Sequence, residues 1–314
     1  VQVKDFIGTR IRLVMDTQKI TDTITLITGK SRGRFPFSHA ILIEDDTTAL
    51  IDTGCGIELL KQLPCTIDIV INSHSHPDHT AGNWLFAGIP LAVPREEIDF
   101  NSNIVQLSRR YAGDQLAQPW RDFVSTTMQF NNAHPTQSFG DTDVFHFGST
   151  SLEAVHTPGH TVGHYCFFER REGILFSFDI DFTTFGPWYG HSESDIGQFI
   201  ASIEKVRSLD FDVVVSSHKG VITEDIEMKF EQFTQVFHER DMRIVEALDT
   251  ERTFEEIVDM ALIYNDFSFH PLLLRYWEGM MVQKHLERLL DAGMVVRTEK
   301  GFLASDVGRS KLCT

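Results

Sequence analysis

The 314 residues carry 28 Lys and Arg against 45 Asp and Glu, a net charge of −17, with 42% hydrophobic and 23% charged content, which excludes wholesale disorder and collagen-like repeats. That length buries one large core, or a large and a small one, without disulfide staples. No apolar run, Ile67–Ile71 and Val213–Val215 included, nears the length of a membrane span, and no secretory apolar segment opens the sequence; a soluble, cytoplasmic protein with no membrane partner is expected.

His39–Glu44 and Thr48–Asp52 flank the turn pair Asp45-Asp46 and predict adjacent antiparallel strands breaking at Thr53-Gly54. Ile67–Ile71 is a short β-branched strand running into Asn72-Ser73-His74, and a helix-like stretch follows from Thr80 to Phe86. Between Pro94 and Asn132 the pattern is helical and polar, with Arg95, Arg109, Arg110 and Arg121 spread through it. The segment reads either as a cap over a site or as amphipathic helices covering a sheet with solvated arginines. Ser151–His156, Ile174–Phe178 and Phe211–Ser216 are further strands, ending at Thr157-Pro158-Gly159, Asp179 and His218. Each strand thus delivers polar residues at its C-terminal end, where the loops of a sheet converge on a site.

From about Val221 the strand signals cease. One long helix is predicted from Glu224 to Leu248, and the capping-box pattern Thr253-Phe-Glu-Glu256 opens a second. A third runs from about Pro271 to Asp291 with Gly293 just beyond it. Met294–Thr298 and Phe302–Ala304 then flank Glu299-Lys300-Gly301 as a hairpin, which completes a winged helix-turn-helix shape. The expected organisation is a larger α/β domain over residues 1–220 and a smaller winged-helix-like domain over 221–314.

Cys55, Cys65, Cys166 and Cys313 lie far apart without a C-x-x-C pair, so buried or free thiols are expected rather than a disulfide framework or a thiolate zinc site. The chemistry concentrates instead in His74-Ser-His76-Pro-Asp78-His79. In an extended segment residues two apart point the same way, so His74, His76 and Asp78 face one point, and His79 joins them as the chain turns into the next helix. Pro77 holds His76 out of the helical region. Imidazoles and a carboxylate at this spacing after a strand form a nitrogen and oxygen site of the type zinc accepts.

The run His74-x-His76-x-Asp78-His79 resembles the signature of the metallo-β-lactamase-fold superfamily, with a ligand set like that of the glyoxalase II branch. The rest of that pattern follows in order: His156-Thr-Pro-Gly-His160-Thr-x-Gly-His164, Asp179 after Ile-Leu-Phe-Ser-Phe, His218 after Val-Val-Val-Ser-Ser, and the early Asp52-Thr-Gly54. The similarity spans roughly residues 10 to 220. It implies an αββα sandwich with two divalent metals, zinc first and iron or manganese as alternatives. His74, His76 and His160 would hold one, Asp78, His79 and His218 the other, and Asp179 would bridge. Two cations acidify a shared water to hydroxide and polarise the substrate, while Asp78 orients the nucleophile or shuttles its proton. His156 and His164 are expected to support the site or the strands rather than ligate, and His39, Tyr189 and His191 are weaker candidates for the substrate pocket. Two departures stand out. Phe178 precedes Asp179 where the superfamily often has Gly, leaving Asp181 as a competitor, and the last ligand sits in Ser217-His218-Lys219 rather than Gly-His-Gly.

Thioesters, lactones, β-lactams, phosphodiesters and persulfides are all handled on this scaffold. His76 stands where the oxygen-reducing di-iron branch has Glu, zinc β-lactamases lack the aspartate that Asp179 supplies, and Phe182 stands where lactonases place Tyr. Residues 221–314 hold 11 Lys and Arg against 18 Asp and Glu, unlike the basic, helical C-terminal region of glyoxalase II. The expectation is therefore hydrolysis of an ester or thioester of a small molecule, with endoribonuclease or mono-iron sulfur dioxygenase as alternatives. An acidic winged helix is a poor nucleic-acid reader, and that region is expected to serve as lid, pocket wall or homodimer contact.

Overall fold

A computed structural model describes residues 15–101 and 103–312. Cys313 and residues 10–14, where the resemblance begins, lie outside that range; Cys55, Cys65 and Cys166 are free thiols.

Two mixed sheets stack face to face. The first runs β1 (Thr17–Lys19), β2 (Ile24–Ile27), β3 (Ala40–Glu44), β4 (Thr48–Ile51), β5 (Ile69–Ile71), β6 (Leu91–Pro94), β7 (Gln137–Phe139) in spatial order. It is antiparallel up to β4 and parallel beyond. The second contains β8 (Val144–His146), β9 (Ser151–His156), β10 (Tyr165–Glu169), β11 (Ile174–Phe178), β12 (Val213–Ser216) and β13 (Gly220–Ile222), in the order β13-β12-β11-β10-β9-β8. The helices are α1 (Ile57–Leu60), α2 (Pro77–Thr80), α3 (Ile98–Asn101), α4 (Ile104–Phe123), α5 (Ile196–Arg207), α6 (Ile226–Ala247), α7 (Phe254–Asp259), α8 (Pro271–Asp291) and α9 (Asp306–Leu312), with the hairpin β14 (Val295–Arg297) and β15 (Phe302–Ala304) before the last.

The period-2 pattern of each strand builds the layers. Ile24, Leu26, Ile41, Ile43 and Ile51 point inward and meet Ala154, Phe167 and Phe176 of the second sheet. Their neighbours Ile27, Leu42, Leu50 and Val70 point outward under Ile57, Leu59 and Leu60 of α1. On the far side Cys166, Phe168 and Leu175 join Trp120 of α4, Phe199 of α5, Phe230 of α6 and Met281 of α8 in one apolar cluster, which Val295 and Ala304 of the hairpin also enter. The result is the expected αββα sandwich with a helical C-terminal part. Truncating a ring such as Phe176, 0% exposed, costs roughly 3–5 kcal/mol.

The sheets also fix where the loops gather. β4 and β5 are parallel, so their ends share one edge, and Asp52 N donates to Ile71 O across it (2.9 Å). β9 and β11 both run antiparallel to β10 and therefore run the same way, and β12 is parallel to β11. Asp52, His74, Thr157, Asp179 and His218 consequently emerge along one rim.

Two local differences from the sequence reading stand out. The stretch from Thr80 to Phe86 is not one helix: α2 ends at Thr80, and a separate short turn covers Asn83–Phe86. Gly82 lies between them, where a Cβ would stand 2.6 Å from Thr53 O and 2.1 Å from the Leu60 side chain. α4 is kinked at Gly113, whose φ is 61°. Among the described residues no helix is long and apolar enough to cross a membrane.

Candidate metal centre

Pro77 does the local work that its position suggests. It leaves His76 extended (φ −61°, ψ 140°) and starts α2, whose single turn swings Asp78 and His79 back toward the rim. Asp52 steadies this loop from a left-handed conformation (φ 57°). Its carboxylate accepts from Ser73 N (2.8 Å), Ser73 Oγ (2.7 Å) and His79 Nδ1 (2.7 Å). Gly54 is required by contact, since a Cβ there would lie 1.3 Å from Asp78 O. Phe178 adopts φ 46° at a register shift between β11 and β12, the left-handed conformation that glycine favours. The inter-sheet core holds its ring in place, which lets Phe stand where the superfamily often has Gly.

All seven expected ligands converge. Asp179 Oδ2 lies 3.1 Å from His160 Nε2, 3.7 Å from His74 Nε2 and 4.0 Å from His76 Nδ1. Its other oxygen, Oδ1, lies 2.9 Å from His79 Nε2 and 3.6 Å from His218 Nε2, and Asp78 Oδ2 is 3.7 Å from His218 Nε2. The ligand atoms of His74, His76, His160 and Asp179 fall within 4.8 Å of one another, as do those of Asp78, His79 and His218.

The donor set fits bound cations. His74 Nε2, His79 Nε2 and Asp179 Oδ1 are buried without hydrogen-bond partners, an arrangement that costs free energy unless an ion satisfies it. The ring nitrogens facing away are held: His160 Nδ1 by Trp188 O (2.8 Å), His218 Nδ1 by Gly33 O (2.6 Å), His74 Nδ1 by Ser73 Oγ (3.0 Å) and His79 Nδ1 by Asp52. Such outer contacts orient metal-binding imidazoles. Burial, then neighbouring imidazoles, hold His74 and His76 well below the usual histidine value, so both rings are neutral, the form that binds metal. Burial opposes a proton on His79, but Asp179 and Asp52 outweigh it and raise its pKa well above the ordinary value.

Asp181 stands apart from both groups, its Oδ1 accepting from Thr183 N (3.0 Å) and Thr183 Oγ1 (3.1 Å). His156 Nε2 donates to Val162 O, and His164 Nε2 accepts from Asp179 N (3.2 Å). The three weaker pocket candidates are not on the cavity wall. His39 accepts from Gly29 N (3.0 Å), Tyr189 OH meets His285 Nε2 (2.7 Å), and His191 lies behind His76 with its Nε2 2.8 Å from His76 Nε2.

Arg110 departs from the solvated-arginine reading. It is buried, bonded through Nη2 to Glu97 (2.8 Å), through Nη1 to Ser75 Oγ (2.7 Å) and through Nε to Glu193. Glu97 in turn accepts from Ser75 N (2.6 Å) and Gly163 N (3.1 Å), so it ties the His74–His79 loop to the loop of His160. No spacing signal in the sequence marks this pair.

Over the rim lies a cavity of about 760 Å³, within the range of small-molecule sites. His76, Asp78, His160, Asp179 and His218 form its floor. Tyr111, Trp120 and Phe123 of α4 wall it, as the cap reading of that segment anticipates, together with Trp188 and, from the C-terminal part, Tyr264, Leu273 and Trp277. Burial, then the Asp78 carboxylate, push the Tyr111 phenol well above its ordinary value.

The sequence profile of the Metallo-beta-lactamase superfamily matches residues 33–218, and the chain belongs to that superfamily. The lactamase-like protein adaB of Aspergillus niger is 27% identical over 76% of this chain and 67% of its own length. The atrochrysone carboxyl ACP thioesterase of Passalora fulva is 24% identical over 74% of this chain and 64% of its own. A beta-lactamase domain protein from Burkholderia ambifaria superposes with a TM-score of 0.69 at 18% identity, covering 92% of this chain and 94% of that one, which shows the shared fold. The match spans about two thirds of the length of these two curated relatives. The protein stands among the metallo-β-lactamase-fold hydrolases, with a His and Asp cluster suited to metal.

Proposed function

We propose that the protein is a dinuclear hydrolase of small-molecule thioesters, with zinc the first choice of metal. The observation that carries this is Asp179, whose two carboxylate oxygens each face a separate trio of ligand-type side chains. The thioesterase name of one relative supports the choice of substrate. Two bound cations would supply Lewis acidity toward the acyl oxygen and acidify a water. Asp78, buried at the cavity floor beside His218, accepts the proton of the attacking water. Water adds to the acyl carbon, the C–S bond breaks, and the proton passes from Asp78 to the departing sulfur, leaving acid and thiol. Asp52, Ser73, Trp188 O and Gly33 O hold the imidazoles in place throughout. A panel of thioesters, lactones and single-stranded RNA offered to metal-reconstituted protein tests this. Thioester hydrolysis is expected; cleavage of RNA alone would overturn it.

We further propose that residues 221–314, read as a winged-helix-like unit, complete the pocket rather than bind nucleic acid. Leu273 and Trp277 line the cavity, and Phe230, Phe237 and Met281 enter the core beside the second sheet. The segment's 18 acidic against 11 basic residues oppose phosphate binding. Arg288, in the last turn of α8, is already paired with Asp241 (3.0 Å). Truncation near Val221 is expected to abolish turnover and reduce solubility. Labelled duplex DNA and single-stranded RNA should show no tight binding by anisotropy at about 0.15 M salt; tight, salt-dependent binding lost on truncation would contradict this reading. A cytoplasmic location and a homodimer remain part of the same proposal.

A further inference from the structure

The cavity has two chemically distinct sides. Beside His76 and His160 stands an aromatic wall: the Trp188 ring is 5.4 Å from His76 and 5.8 Å from His160, Tyr111 is 4.9 Å from His76, Trp120 stacks on Tyr111 at 4.7 Å, and Trp277 lies 6.0 Å from Trp188. On the His218 side two basic residues enter the wall, with Asp181 beside them. Lys219 follows His218 directly, and Arg34 follows Gly33, whose carbonyl oxygen accepts from His218 Nδ1. Arg34 and Lys219 are exposed cavity residues whose side chains make no ion pair among the described residues, in a chain of net charge −17. Rings of this kind stack on flat apolar groups, and exposed cations beside them bind phosphate. Asp179 lies between the two sides.

We infer that the substrate is a thioester with a flat aromatic acyl group, stacked on the Trp188 side, and a phosphate-bearing carrier of the coenzyme A type running past Arg34 and Lys219. This rests on the thioesterase reading. The test compares benzoyl-CoA, acetyl-CoA and the benzoyl thioester of N-acetylcysteamine, which keeps the acyl group and lacks phosphate, on metal-reconstituted protein. Benzoyl-CoA is expected to exceed each of the others in kcat/KM by about tenfold or more. In an Arg34→Ala/Lys219→Ala variant the gap between the two benzoyl thioesters should close. Equal rates on benzoyl-CoA and acetyl-CoA, or a gap untouched by the double substitution, would overturn the inference alone. Failure to hydrolyse any thioester would remove the thioesterase reading and the inference with it.

The Tyr111 hydroxyl differs from the rest of the aromatic wall. Tyr111 is 6% exposed, its oxygen is buried without a hydrogen-bond partner, and the residue lines the cavity beside His76. Phe182, near Asp179 in sequence, offers no donor and packs on Phe230 at 4.8 Å. We infer that Tyr111 OH donates a hydrogen bond to the substrate's acyl oxygen, stabilising the charge that builds there as water adds. Tyr111→Phe is expected to lower kcat about 100-fold with KM little changed, and to leave metal content and thermal stability at or above those of the unaltered protein. An unchanged kcat, or a loss that follows falling stability or metal content, would overturn it.

Discussion

Asp179→Ala is expected to abolish hydrolysis and empty both halves of the metal site. Asp179 reaches into both groups with its two oxygens: Oδ2 meets His160, His74 and His76, and Oδ1 meets His79 and His218. Removing it leaves five imidazoles, four of them buried, without the one carboxylate they share, and each trio falls short of a full coordination shell. Asp181→Ala and His156→Ala should behave differently. Asp181 is bonded to Thr183, and His156 to Val162 O; losses of supporting contacts cost about 10- to 100-fold. Activity assays run beside metal analysis separate the cases. Loss of metal in Asp181→Ala with retention in Asp179→Ala would reverse the bridging assignment.

Removing Arg110 is expected to destabilise the fold by about 3–5 kcal/mol, because the Glu97 carboxylate stays buried without its cation; removing Glu97 should cost less, because Arg110 keeps Glu193. The side chains are 0% and 3% exposed, so solvent cannot screen the loss. Changing both at once, Glu97→Gln with Arg110→Met, should cost less than Arg110→Met alone, as read by denaturant unfolding. The pH dependence has a defined sign. Burial disfavours the charged form of Glu97, but Arg110 and the Ser75 contacts outweigh it and hold its carboxyl below the usual carboxylate range. The pair's contribution is therefore complete above the unfolded pKa of about 4.3 and is lost as pH falls through the lower folded value. The denaturant midpoint of Glu97→Gln should accordingly fall less steeply as pH is lowered through that range.

Some features were legible because one local rule decides them. Pro271–Asp291 is the third C-terminal helix, since Pro suits the first turn and Gly293 (φ 67°) terminates it, and α7 opens on the capping box that Thr253 and Glu256 form. The ligand-type residues follow strands whose ends the topology brings to one rim. Other features depend on tertiary contacts alone. β6, Leu-Ala-Val-Pro, and β10, Tyr-Cys-Phe-Phe-Glu, are buried on both faces and lack alternation. Arg110 looks like any helical arginine until Glu97, Ser75 and Glu193 surround it. The aromatic cavity wall draws on α4, the 185–189 segment and α8, which no spacing in the chain connects.

The central claim is that one carboxylate joins two metal sites. Elemental analysis of chelator-free protein reconstituted with zinc, iron or manganese tests it most directly, since ligands from Asp179 and two trios leave each cation at least three protein donors. Close to two metal ions per chain is the predicted result; a value near zero after reconstitution with each metal would contradict the account.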